Sequence, residues 1–257
     1  MRLLSLSSRS FSVPARPVAP FLRALAVAAL LGLGACGGGQ PAADAAQPVA
    51  EVTASAQSPA AEPAWPQSDR DVRPLLPGTP VPAATVRTLD GDALGLRDAL
   101  AGQPAVLVFY RGGWCPYCNT QLSGLRLIRG DLDALGFRLI ALSPDTPEHL
   151  KKTLDEQSLD YTLLSDSGAE AMRGFGIGYQ VDAATREKLS GYGIDLEARS
   201  GDTHHVLPVP AVFVVDGEGV VQFAYVHPDY TVRLPQDMVL AAAKAIKEQR
   251  YKVVPQR

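Results

Sequence analysis

From about Pro74 onward the chain alternates short apolar runs with amphipathic stretches, separated by glycine, proline or aspartate. Residues 86–89 and 93–96 predict a hairpin around Asp90-Gly91-Asp92. Residues 96–100 form a short helical turn closed by Gly102. Residues 105–110, entered after Pro104, are apolar without interruption, which predicts a strand buried on both faces. The spacing of Gln121, Leu122, Leu125, Leu127 and Ile128 predicts an amphipathic helix over 115–135, stopped by Gly136 and open to a break at Gly130. A second buried strand follows at 137–142. After the Ser143-Pro144-Asp145 turn, Thr146 caps a helix that begins on Pro147 and runs to about 157. Residues 161–164 predict a strand and 169–175 a helix. Residues 177–206 are irregular, with one helix over 183–189. Residues 211–215 and 220–225 predict a hairpin around Asp216-Gly217-Glu218-Gly219, and 235–249 a final amphipathic helix. No internal repeat is present. Strands alternating with helices imply an α/β domain, a central mixed sheet flanked by helices.

The N-terminal part has a different pattern. Arg2, Arg9, Arg16 and Arg23 precede an apolar run over 25–33 that is short for a bilayer span, then small residues and Cys36. This pattern predicts a secretory signal. Leu33-Gly34-Ala35-Cys36 resembles the bacterial lipobox, whose cysteine becomes the lipidated first residue of the mature chain. Residues 37–73 are rich in alanine, proline and glutamine, with few apolar groups to bury, and predict a flexible tether. Its ends would lie roughly 30–35 Å apart. The expected organisation is therefore a signal segment over 1–36, a tether over 37–73 and a folded domain over 74–257. The expected location is the bacterial cell envelope, lipid-anchored at a membrane with the domain in the periplasm. Gly37 after Cys36, where an aspartate often marks inner-membrane retention, favours the outer membrane. The formal net charge of −3 argues against a nucleic-acid partner, which would call for a basic stripe.

Chemistry concentrates in Phe109-Tyr110-Arg111-Gly112-Gly113-Trp114-Cys115-Pro116-Tyr117-Cys118. A strand, a glycine turn and a helix opening on a Cys-x-x-Cys pair form a dithiol redox motif. Residues three apart on a first helical turn are neighbours, so the two sulfurs can bond without moving the backbone. The unpaired N–H groups and dipole of the helix start favour thiolate. A structural disulfide would stabilise little over so short a loop. A zinc site would need a second cysteine pair, and the third cysteine, Cys36, belongs to the signal.

The stretch from about Pro74 to Lys252 resembles the peroxiredoxin-like branch of the thioredoxin superfamily, the alkyl-hydroperoxide-reductase and thiol-specific-antioxidant group. The marks are Phe109-Tyr110, the Pro116-x-Cys118 step, Leu163-Leu164-Ser165-Asp166 and Phe213-Val214-Val215-Asp216. The resemblance implies a thioredoxin-like fold and a thiol-dependent peroxidase acting on hydrogen peroxide or alkyl hydroperoxides. It needs no cofactor and is reduced afterwards by a thioredoxin-like protein. Alignment on the Pro-x-x-x-Thr-x-x-Cys motif of peroxiredoxins puts Cys118 at the attacking position and Cys115 at the threonine, with Cys115 then closing the disulfide. Peroxiredoxins usually place an arginine just before the late strand. This chain has Pro210 there, and Arg111 could supply the charge.

Two rival readings accompany this one. In thioredoxins the first cysteine attacks and a tryptophan precedes it, as Trp114 precedes Cys115. Pro210 resembles their cis-proline, so Val209-Pro210 would hold a substrate peptide beside Trp114. That reading is a thiol–disulfide oxidoreductase acting on envelope proteins. A third reading is copper binding by Cys115, Cys118 and one of His204 or His205. Asp145 and Asp166 read as turn and capping residues, and Tyr230 and Arg233 as residues that dock the last helix.

Overall fold

The structure, a computed structural model, describes residues 64–249. Cys36 and the expected signal, with residues 37–63 of the expected tether, lie outside the described residues. So do residues 250–257. Among the described residues no helix is long and apolar enough to cross a membrane.

The expected elements form. Strands β1 (Thr85–Arg87) and β2 (Ala93–Gly95) pair antiparallel around Gly91, whose φ of +91° suits a residue without a Cβ. Helix α1 (Leu96–Leu100) leads into β3 (Ala105–Phe109). Helix α2 (Pro116–Leu135) ends on Gly136 in the left-handed conformation, and it runs through Gly130 without the break allowed for there. Then come β4 (Arg138–Ser143), α3 (Pro147–Glu156), β5 (Thr162–Ser165) and α4 (Glu170–Gly174).

The stretch expected to be irregular is more ordered than its sequence pattern implied. It contains β6 (Gly178–Gln180), α5 (Ala183–Gly191), α6 (Leu196–Ser200) and β7 (Val206–Pro208). Asp182 and Asp195 cap the two helices by accepting backbone N–H bonds. β6 and β7 pair antiparallel as a separate two-stranded sheet, and three residues apiece are too short for a readable alternation. The chain closes with β8 (Ala211–Val215), β9 (Val221–Val226) and α7 (Gln236–Lys247).

The main sheet has the order β2-β1-β5-β4-β3-β8-β9. β3, β4 and β5 are parallel neighbours, and the remaining pairs are antiparallel. β3 lies near the middle and shows why an unbroken apolar run was needed. Leu107 and Phe109 enter one core, with Ile140, Leu142, Phe175 and Phe213. Val106, Val108 and Tyr110 enter the other, with Leu122, Leu125 and Leu132 of α2 and Val239 of α7. Both faces of the strand are therefore covered.

The folded part begins upstream of the boundary expected at Pro74. Gln180 N–H donates to the Pro66 carbonyl at 2.8 Å, Arg73 N–H to Gly176 at 2.9 Å and Leu75 N–H to Phe175 at 3.0 Å. The guanidinium of Arg173 lies 3.7 Å from the centre of the Trp65 ring. The composition of residues 64–73 resembles a linker, but one tryptophan and a few backbone bonds fix them to α4 and β6.

Phe109, Phe175 and Phe213 meet with ring centres 4.6–6.0 Å apart at the middle of one core. Phe213→Ala should therefore lower unfolding free energy by about 3–5 kcal/mol in urea denaturation. A loss below about 1 kcal/mol would mean that this cluster does not hold the sheet to α4.

Candidate functional site

The loop between β3 and α2 carries the dithiol. Tyr110 N–H continues the strand pairing by donating to Leu142 at 3.0 Å, and then the chain turns. Gly112 has φ +148°. A Cβ there would come within 2.4 Å of Trp114 Nε1 and 2.9 Å of Asp145 Oδ1. A Cβ on Gly113 would fall 1.8 Å from Thr153 Oγ1 of α3. The two glycines are thus the condition for pressing this loop between Asp145 and α3. Gly113 N–H donates to Asp145 Oδ2 at 2.8 Å, and Asn119 Nδ2 donates to the Gly113 carbonyl at 2.8 Å. The turn ends on Cys115, the N-cap of α2, with Pro116 in the first helical position.

Both cysteines are unbonded thiols and both are buried. The Cys118 thiol bonds to the Cys115 sulfur. That bond, with the Cys118 backbone N–H and the charges of Arg111 and Arg233, brings the Cys115 thiol down to about 6 against the opposing effect of burial. Burial pushes Cys118 the other way, well above the usual thiol range, and its hydrogen bond to Cys115 adds to this. The two thiols are thus displaced in opposite directions, Cys115 toward the thiolate and Cys118 toward the protonated form.

The cation nearest the sulfurs is Arg233, from the segment between β9 and α7. Its Nη2 donates to Cys118 Sγ at 3.2 Å and lies 3.9 Å from Cys115 Sγ. Its Nη1 donates to Gln121 Oε1 at 3.0 Å and its Nε to the Tyr230 carbonyl at 2.9 Å. Arg233 was expected to dock the last helix. The structure ties it to Gln121 of α2, just ahead of α7, and also places its guanidinium on the dithiol. Arg233 and the sulfurs are separated by more than a hundred residues of sequence, so only the fold brings them together. Arg111 is buried, its guanidinium 4.9 Å from the Trp114 ring centre and 4.3 Å from that of Tyr230. A cavity of about 290 Å³, lined by Tyr117, Gln121, Leu125, Arg233 and Leu234, opens beside this group.

Other expected residues take different positions. Pro210 lies one step beyond the Phe109–Ala211 pair, so it reaches the dithiol end of the sheet. Among the described residues, however, no peptide bond is cis, and the expected cis-proline is absent. Val209 packs in the core on the other face of β3, its N–H donates to the Ile177 carbonyl at 3.0 Å, and the Pro210 carbonyl accepts from His227 at 3.1 Å. The Val209 N–H, one of the groups expected to hold a substrate peptide, is already paired. His204 bonds to the Ser167 carbonyl and accepts from Val206 N–H, both at 2.9 Å. His205 bonds to Glu197 at 2.7 Å. Neither histidine joins the sulfurs, and no group of three or more His, Cys, Asp or Glu that could hold a metal ion occurs among the described residues. Asp166 does cap, accepting from Ala171 and Met172 N–H at 2.8 Å. Asp145 does more than turn the chain: it grips Gly113 and pairs with Arg199 of α6, whose Nε lies 3.2 Å from Oδ1.

A thioredoxin-like sheet with two buried cysteines at a helix start is the architecture of a thiol oxidoreductase. The AhpC/TSA family profile matches residues 77–224. The chain is 31% identical over 106 residues to Peroxiredoxin Bcp of Escherichia coli, a match covering 41% of this chain and 67% of that one. The fold is similar to the crystal structure of Peroxidoxin BcpB from Mycobacterium tuberculosis, with TM-score 0.51, 20% identity, 66% of this chain covered and 97% of that one. It is also similar to reduced Prx3 from Vibrio vulnificus in complex with hydrogen peroxide, with TM-score 0.54, 19% identity and coverage of 66% and 99%. The chain belongs to the AhpC/TSA family and is an oxidoreductase of the peroxiredoxin type, a thiol-dependent peroxidase.

Alkylation of the reduced protein by iodoacetamide should follow a thiolate titration on Cys115 with its midpoint near pH 6. Arg233→Gln should move that midpoint up by about one pH unit or more, because a cation at this distance favours the anion. An unmoved midpoint would remove Arg233 from the electrostatics of the site.

Proposed function

We propose that the protein reduces hydrogen peroxide or an alkyl hydroperoxide through a cycle confined to Cys115 and Cys118. The observation that carries this reading is the single guanidinium of Arg233 set against both sulfurs, with a second, Arg111, close by. Such a pair of cations stabilises a thiolate and the charge that develops on the departing oxygen.

The Cys115 thiolate attacks one peroxide oxygen, the O–O bond breaks, and the other oxygen leaves as water or an alcohol after taking up a proton. Cys115 is then a sulfenic acid. Cys118, its thiol already turned toward Cys115, attacks that sulfur, releasing water and forming the Cys115–Cys118 disulfide. A thioredoxin-like dithiol protein reduces the disulfide by exchange and is itself oxidised. This order reverses the one implied by alignment, in which Cys118 attacks first. Support for the reversal is the opposite displacement of the two thiols, with Cys115 lowered and Cys118 raised; against it stands the closer approach of Arg233 to Cys118, at 3.2 Å, than to Cys115, at 3.9 Å. A low Cys115 thiol also suits disulfide exchange with other proteins, and that reading is favoured by Trp114. It is disfavoured by the paired backbone of Val209 and Pro210. We further propose that lipidated Cys36 tethers the domain to the envelope membrane.

The deciding experiment is stopped-flow oxidation of the reduced protein by hydrogen peroxide, followed by tryptophan fluorescence. The expected result is a second-order rate far above that of a free thiol. A rate equal to a free thiol's would favour disulfide exchange. In a sulfenate-trapping assay, Cys118→Ser should retain a sulfenic acid on Cys115 and Cys115→Ser should form none. The converse would restore Cys118 as the attacking residue. Cys36→Ala should release the protein from the membrane fraction. Continued membrane association would remove the anchor.

A further inference from the structure

We propose that Asp145 is a positioning residue of the dithiol site, and that it acts together with Arg199, so that the inserted segment from β6 to β7 is a working part of the enzyme. The proposal rests on the peroxidase reading for its rate assay but not for its thiol assay.

The Asp145 side chain is fully buried. A carboxylate in that position needs partners, and it has two. One is Gly113 N–H, in the loop that ends on Cys115. The other is Arg199, at 3.2 Å from Oδ1 and 3.4 Å from Oδ2. The Arg199 carbonyl also accepts from Thr146 N–H at 2.8 Å, so α6 is bonded to two adjacent residues, Asp145 and Thr146. The carboxylate thus joins three parts that are distant in sequence: the glycine turn, the end of β4 and the insertion.

The arrangement bears on chemistry because of what the turn carries. Arg111 precedes the two glycines and Cys115 follows them closely. The Arg111 charge and the helix-start position of Cys115 both lower the Cys115 thiol. With no side chain on Gly112 or Gly113, the loop's place is set from outside, by Asp145 on one side and Thr153 on the other. Asparagine could still accept from Gly113 but would leave the Arg199 charge unbalanced. Loosening the turn by about 1 Å would cost reactivity even with both cysteines present.

The direction of the thiol's response separates positioning from simple charge. Removing a nearby negative charge would by itself lower a thiol's pKa. Releasing the loop would raise it, because Cys115 would lose Arg111 and the helix start. The charged and titratable groups facing Asp145 are Arg199 from α6 and Tyr110 from the end of β3. His149 of α3 lies near Arg199, and burial and that guanidinium hold its imidazole below its usual pKa. Arg111, His204 and His205 border the same small cavity as Asp145 and Arg199.

The test is the pH profile of Cys115 alkylation in the full chain, with peroxide oxidation rates and melting temperatures measured in parallel. Asp145→Asn and Arg199→Ala should each raise the alkylation midpoint and slow peroxide oxidation by about ten- to a hundredfold. Arg199→Lys should recover most of both. If Asp145→Asn does not fold, Asp145→Glu decides in its place: it keeps the charge but moves the carboxylate relative to Gly113, so a raised midpoint supports positioning and an unmoved one overturns it. A midpoint that falls or stays put in folded variants, with only melting temperature lowered, would overturn the proposal and leave Asp145 a purely structural ion pair. Wild-type protein that reacts slowly with peroxide but shows the predicted thiol shifts would overturn the peroxidase reading and not this one.

Discussion

A sulfur anion kept away from water must find its stabilisation inside the protein, and much of this molecule's architecture answers that requirement. Burial alone would drive both thiols toward the neutral form. Cys115 escapes because it caps a long helix, accepts from Cys118, and has two guanidinium groups within range. Those cations need support too. Arg111 is held between the faces of Trp114 and Tyr230, an arrangement that offsets part of the cost of burying it. Arg233 is fixed by Gln121 and by the Tyr230 carbonyl. Tyr117 and Tyr230 meet edge to face at 5.8 Å, closing the outer side of the group. The aromatic residues here shape the electrostatics by keeping two cations in place.

The sheet gives these groups a fixed reference. β3 is packed on both faces, so the point where its pairing ends and the turn begins is well defined. From that point the two glycines let the chain press against its neighbours on the way to α2, since either Cβ would strike a neighbouring side chain. The segment between β9 and α7 then brings Arg233 to Gln121 of α2 and to the sulfurs. The carboxyl of Asp145, which burial pushes up to about 6 against the pull of Arg199, lies on the far side of the same turn. The loop is thus fixed from the sheet, from α3 and from α6 at once.

How much of this was legible in the sequence depended on how local its cause was. The hairpin at Gly91, the strand at 105–109, the helix start at Cys115 and its stop at Gly136 all follow from a few adjacent residues, and each forms where the pattern placed it. Residues 64–73 read as linker because one tryptophan cannot signal burial by itself; its partner Arg173 lies on a distant helix. β6 and β7 were missed because they alternate over too few positions. The roles of Arg233 and Asp145 were illegible for another reason. An arginine before a helix and an aspartate in a turn have ordinary explanations, and only the tertiary contacts, one with sulfur and one with a backbone N–H, distinguish these two. The preference for Cys118 came from aligning a motif, which carries no information about how the fold displaces each thiol.

The insertion also bears on the choice between a small substrate and a polypeptide one. A thioredoxin-type exchange enzyme leaves a backbone edge beside its dithiol for the target peptide to pair with. Here the strand β7 enters that region already paired to β6, and the residue after it, Val209, gives its N–H to Ile177. The Pro210 carbonyl is taken by His227. A peptide could compete for these groups only by breaking internal bonds, whereas a hydroperoxide needs only the sulfur and a cation. The same segment carries Arg199, so one piece of chain both takes up the Val209 N–H and reaches Asp145 behind the glycine turn.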